Sequence, residues 1–135
     1  MSKEPLIILG MHRSGTSLIT QWLNACGLNI GHNLMGVGIG NDDGHFEDLD
    51  FVNWHQHVLD DNQLCGTGLI TQNDLIISNE LKHEFEQILA VKPNENWGWK
   101  DPRTCLFLSH YQEVLPEANY LIIVRNYSSV ISSLV

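Results

Sequence analysis

The sequence predicts an α/β protein of three layers, with helices on both faces of a parallel central sheet. Three observations predict it. Two short, nearly all-apolar runs, LIIL at 6–9 and YLIIVR at 120–125, read as buried strands. Longer segments with apolar residues at helical spacing separate them. Four of the seven cations, Arg13, Lys100, Arg103 and Arg125, fall beside strand ends, the ligand edge of a parallel sheet.

The first strand, Leu6 to Leu9, is ended by Gly10, and Met11 to Gly15 must turn tightly before Thr16 opens a helix. Strand, glycine-bounded turn and helix make a phosphate-binding loop, because the turn's N–H groups and the helix N-terminus converge on one spot. The spacing nearly matches G-x-x-x-x-G-K-[ST], with Gly10, Gly15 and Ser17 in place. Thr16 stands where the lysine would be, and the loop's only cation is Arg13. The loop therefore suits an anion other than a nucleoside triphosphate. Leu18, Ile19, Trp22, Leu23 and Cys26 predict a helix over 16–26 that lies against the strand, with Gly27 as its stop. An anion at its N-terminus gains roughly 0.3–1 kcal/mol from the helix dipole.

Leu28 to Gly44 is glycine-rich and predicts a mobile loop. Gly36, Gly38 and Gly40 fail as a dinucleotide fingerprint, since the third glycine is one place early and no strand precedes them. His45 to Leu59 reads as an amphipathic helix with an inner stripe of Phe51, Trp54, His55, Val58 and Leu59. His45 and Glu47 sit at its start, where a side chain can reach a neighbouring crevice. His55 and His57 diverge on a helix and make a poor metal pair, so they read as solvated or capping groups. Residues 60–74 read as a loop. Asn79 to Val91 reads as a structural helix with Leu81, Phe85, Ile88 and Leu89 on one face, and Pro93 to Asn96 as a turn. In WGWKDPR, Trp97 to Lys100 fits a strand, Asp101 a helix cap and Pro102 a first helical position. The helix from Arg103 to Leu115 turns Leu106, Phe107, Tyr111, Val114 and Leu115 inward. After the strand at 120–125, Asn126 to Ser129 is a turn, and a last helix starts near Ser129.

At 135 residues the chain is expected to form a single domain, residues 1–135. A net charge of -9 argues against nucleic-acid or anionic-membrane partners. Cations gathered at strand ends in an acidic chain suit a compact anion; the alternative is surface ion pairing with the many carboxylates. Three cysteines without a C-x-x-C pair suit a reducing compartment. MSKEP leads into only four strong apolar residues, too few for a signal segment or a membrane span, which predicts a soluble cytoplasmic protein. No H-E-x-x-H occurs and no metal site is expected.

The GMHRSGTS loop, the KDPR segment and the VR…S segment, in that order, resemble the bacterial-type sulfotransferases that use 3′-phosphoadenosine 5′-phosphosulfate. The resemblance implies that Arg13, Ser14, Gly15, Thr16 and Ser17 bind the 5′-phosphosulfate. It implies that Arg125 and Ser133, eight residues apart as in the family, bind the 3′-phosphate. The chain departs in having Asn126-Tyr127 where Asp-Pro or Asn-Pro is common. Family members continue well past Val135, so the resemblance covers an N-terminal half or more of such an enzyme, apparently truncated at the C-terminus.

Sulfuryl transfer is an in-line displacement at sulfur in which charge builds on the bridging oxygen. Positioning and electrostatics do the work, and without a triphosphate no Mg²⁺ is implied. Arg13 can fork onto the bridging and sulfuryl oxygens. The acceptor, a hydroxyl or amine on a small molecule, carbohydrate or peptide, needs a base. The candidates are Glu47 and then His45, and the resemblance offers Lys100 or Arg103 as support for the sulfuryl group. Two other readings stand beside this one: a P-loop kinase or NTPase-like nucleotide binder, and a non-catalytic nucleotide-binding module. An unfinished helix and sheet could also drive homo-oligomerisation.

Overall fold

The computed structural model describes residues 3–36, 44–70 and 74–135. The central glycines at 38 and 40 of the glycine-rich loop lie outside the described residues. The elements run β1 (Leu6–Gly10), α1 (Thr16–Ala25), α2 (Leu49–Asp61), α3 (Asn79–Ala90), β2 (Gly98–Lys100), a 3₁₀ helix (Pro102–Phe107), α4 (Leu108–Val114), β3 (Asn119–Ile123) and α5 (Tyr127–Leu134). Three strands form one parallel sheet in the order β2-β1-β3. Flanking helices complete the layered α/β fold that the sequence predicts.

Strand alternation sorts the layers. Ile7 and Leu9 of β1 and Trp99 of β2 join a core cluster with Phe51, Trp54, Phe85, Phe107 and Tyr111. Ile8 is fully buried outside that cluster and pairs in register with Lys100. Lys100 thereby leaves the sheet on the face opposite Trp99. Phe51 stacks on Trp99 with ring centroids 4.1 Å apart, which locks α2 to the sheet.

Helix α1 meets the sheet differently from the expected stripe. Thr16 and Thr20 are its buried residues, while Leu18 and Trp22 are 69% and 67% exposed. The small threonines allow a close approach, and Gly10 completes it. A Cβ at Gly10 would lie 2.5 Å from Thr16 Cγ2 and 3.1 Å from the Ile123 carbonyl oxygen.

Other expectations need correction. The helix expected from His45 starts at Leu49, capped by Asp48 accepting from Asp50 N–H. Gly44 (φ 102°) and Phe46 (φ 55°) are left-handed, which excludes a helix there. The helix expected over 103–115 opens as a 3₁₀ helix, and Val114 is exposed. α5 starts at Tyr127, capped by Asn126. β3 is not the buried strand its composition suggests: Ile122 and, just beyond it, Val124 are 67% and 85% exposed. β3 pairs only with β1 among the described strands, so one edge is unpaired, and its residues are mostly exposed.

Candidate functional site: the anion pocket at the sheet edge

The C-terminal ends of all three strands open on one pocket of about 400 Å³. The turn after β1 and the start of α1 line it with Arg13, Gly15, Thr16 and Ser17. Arg13 (φ 65°) and Gly15 (φ 86°) are both left-handed, and a Cβ at Gly15 would touch nothing. Glycine is therefore required there by backbone conformation rather than by space. α2, α3, the 3₁₀ helix and α5 each have a first-turn N–H held by a capping side chain. α1 begins at Gly15 with no side-chain cap and no acidic residue in its first turn. Gly15, Thr16 and Ser17 at its start line the pocket, and the unpaired N–H groups of a helix start suit an anion.

Lys100 supplies the cation that the loop lacks at Thr16. Its Nζ donates to Ser17 Oγ at 3.0 Å and to Glu47 Oε1 at 3.0 Å. Lys100 and Glu47 are 2% and 5% exposed. Burial pushes the Lys100 ammonium below the usual lysine range, against the opposing pull of Glu47. Glu47 sits on the extended segment ahead of α2, where its carbonyl accepts from Met35 N–H at 2.7 Å. Ser17 Oγ–H donates to the His45 carbonyl at 3.2 Å, tying that segment to α1. His45, Glu47, Lys100, Thr16 and Ser17 thus share the pocket with Arg13, Gly15 and Arg125.

The remaining sequence candidates lie at its margins. Ser14 is buried beneath the loop, and its N–H donates to the Met11 carbonyl at 3.2 Å. Ser133 lines an adjoining cleft with Arg125 and Ser129. Arg13 bridges the two spaces: its Nε–H donates to Ser133 Oγ at 2.8 Å, and its carbonyl accepts from Arg125 Nη1 at 2.8 Å. In this arrangement Arg13 reaches toward Ser133, whereas the fork onto a sulfuryl group expected from sequence needs it to turn inward.

Sequence reasoning missed the support behind Lys100. Asp101 is fully buried; its Oδ1 accepts from Arg103 N–H at 3.0 Å and from Arg103 Nη1 at 2.8 Å, and its Oδ2 lies 2.6 Å from His55 Nδ1. Burial alone would raise the Asp101 pKa, but His55 and Arg103 outweigh it and hold the carboxyl well below the usual range. His55, read as solvated or capping, is fully buried. The available signal was its place on the inner stripe of α2, since a polar ring there must find partners. A loop at 66–67 braces the site from outside: the Gly66 carbonyl accepts from Arg103 Nε at 2.6 Å, and His12 Nε2 pairs with the Thr67 carbonyl at 3.0 Å. Burial lowers the His12 pKa.

Among the described residues no group of three or more His, Cys, Asp or Glu side chains is placed to hold a metal ion. Among them, too, no helix is long and apolar enough to cross a membrane. No curated protein and no solved structure matches the chain. A family model described as "Sulfotransferase family" matches residues 5–135, which include the phosphate loop, the Lys100–Arg103 segment and the Arg125–Ser133 segment. A match of that extent, over a layered sheet whose ligand edge carries these same segments, makes the chain a member of the sulfotransferase family.

Proposed function

We propose that the chain takes 3′-phosphoadenosine 5′-phosphosulfate as sulfuryl donor and passes the group to a hydroxyl or amine acceptor. One observation carries the reading: an uncapped helix start, a buried lysine and a buried carboxylate meet in one pocket, with Arg125 on its far side. The 5′-phosphate accepts from the main-chain donors at Gly15–Ser17, and Arg125 with Ser133 holds the 3′-phosphate. Arg13, at the junction of the two spaces, serves either end of the nucleotide.

The acceptor's lone pair attacks sulfur, and the sulfur–oxygen bond to the phosphate breaks. Its electron pair stays on the departing adenosine 3′,5′-bisphosphate. Lys100, itself buried, and the α1 donors meet the charge that develops on that oxygen. Glu47 takes the acceptor's proton, with His45 as the second candidate. The Lys100–Glu47 contact sets base and cation side by side before the donor arrives.

Calorimetry tests this reading. Adenosine 3′,5′-bisphosphate should bind in the presence of EDTA, and Glu47→Gln should abolish transfer while that binding persists. Binding of ATP only with Mg²⁺, and none of the bisphosphate, would replace this reading with a kinase-type one.

A further inference from the structure

His55 and Tyr111 lie in the middle of the core, and the proposed reaction makes no direct use of them. A polar ring among aromatic side chains costs stability unless its nitrogens are paired. Both are paired here: Nδ1 lies 2.6 Å from Asp101 Oδ2, and Nε2 lies 2.5 Å from the Tyr111 hydroxyl. Nδ1–H donates to the carboxylate, and Nε2 pairs with the Tyr111 hydroxyl. Burial, reinforced by the charge of Asp101, raises the Tyr111 pKa well above its usual value, so the hydroxyl keeps its proton. From Asp101 the contacts continue outward. Oδ1 holds Arg103 through two donors; Arg103 Nη1 lies 3.8 Å from Glu47 Oε2, and Glu47 Oε1 accepts from Lys100. Lys100 is also the chain neighbour of Asp101. A continuous line of polar contacts joins a core phenol to the pocket carboxylate.

We propose that His55, oriented by Tyr111, is a positioning residue: by anchoring one oxygen of Asp101 it fixes Arg103 and the Lys100–Glu47 pair at the anion pocket. The kinetic consequence rests on the sulfuryl-transfer reading; the geometric one does not. A carboxylate held through one oxygen alone can pivot, and Arg103 follows it. A misplacement of about 1 Å at reacting groups costs on the order of 10²-fold in rate.

The test uses the full chain with His55→Leu, His55→Asn and Tyr111→Phe. Asparagine can return an N–H donor near the place of Nδ1, while leucine keeps only apolar bulk. Two quantities are read: kcat and KM for transfer from the phosphosulfate donor to a phenolic acceptor, and the NMR hydrogen-exchange rate of the Arg103 main-chain N–H, which donates to Asp101 Oδ1. His55→Leu should lower kcat on the order of 10²-fold with donor KM nearly unchanged, and should speed Arg103 exchange about tenfold or more. His55→Asn should recover most of both. A purely packing role predicts the reverse order, because asparagine buries an extra polar group; leucine matching or surpassing asparagine overturns the proposal. If the unmutated chain transfers no sulfuryl group, the functional reading fails, and the exchange rates still decide this one: an unchanged Arg103 rate in His55→Leu overturns it. Should His55→Leu not fold, Tyr111→Phe, which removes a single hydroxyl, must still speed Arg103 exchange, and an unchanged rate overturns the proposal.

Discussion

The two flanks of the pocket at the sheet edge differ in how they are held. On the β2 flank, Lys100, Glu47 and Asp101 are 2%, 5% and 0% exposed, and each makes at least one charged contact. On the β3 flank, Arg125 is exposed, Val124 beside it is 85% exposed, and the strand has one unpaired edge. Both flanks carry cations, but only the β2 flank buries its cation against a carboxylate. Preorganisation matters most where charge changes during a reaction, because reorienting groups at that moment adds to the barrier. A phosphate that keeps its charge throughout needs only to be held, and an exposed guanidinium can close on it during binding. The unequal construction suits the proposed division between chemistry beside β2 and anchoring beside β3.

The largest expected effect comes from breaking the buried flank. Lys100→Met removes the cation beside Ser17 and leaves Glu47 buried with Arg103 at 3.8 Å as its nearest remaining charged partner. Steady-state kinetics should show kcat lower by on the order of 10³-fold, the scale of a lost transition-state donor. A loss confined to KM would place Lys100 in binding and erase the contrast between the flanks. Asp101→Asn comes next. It removes the nearer of two carboxylates beside Arg103 and sets an amide against the His55 N–H, so urea titration should show about 3 kcal/mol lost.

The third effect sharpens the picture of the buried side through pH. His110 packs on Trp54, with ring centroids 5.2 Å apart, and is 8% exposed. Burial lowers its pKa from 6.5 to about 4. The unfolded chain therefore takes up this proton first, and stability falls as pH drops from 6.5 toward 4, then levels for this group. The loss amounts to at most about 3 kcal/mol. His110→Phe should flatten that interval of the pH–stability curve. Asp101, whose carboxyl is depressed, contributes separately; its stabilisation is present above pH 3.8 and is lost below it.

The smallest effects belong to the open flank. Arg125→Ala should weaken adenosine 3′,5′-bisphosphate about tenfold to a hundredfold and leave AMP unchanged, by the worth of one charge-assisted contact. Ser133→Ala should cost about fivefold, since a neutral hydroxyl is involved. Equal losses for both nucleotides would move Arg125 away from the 3′-phosphate and weaken the proposed division.

How far the sequence foretold this molecule depends on what set each feature. Gly10, Gly15 and the apolar run at 6–9 follow local rules, and β1, the turn and α1 stand where those rules put them. Asp101 and Pro102 likewise cap and open the next helix as their chemistry requires. The start of α2 was misplaced because the left-handed Phe46 carries no residue signal, although Asp48 is a good cap. β3 misled because an apolar strand reads the same at the edge of a sheet as in its centre. Most of the residues singled out from sequence line one pocket. The wiring was not legible, since Lys100 reaches Ser17 across 83 positions and His55 reaches Asp101 across 46.

The central claim is that the α1 start and Lys100 together hold the nucleotide's 5′-phosphate. A crystal structure with adenosine 3′,5′-bisphosphate tests it most directly. The account predicts the 5′-phosphate about 3 Å from the main-chain nitrogens of residues 15–17 and from Lys100 Nζ, with the 3′-phosphate at Arg125. A bound nucleotide lying elsewhere, with the loop empty and Lys100 still closed on Glu47, would contradict it.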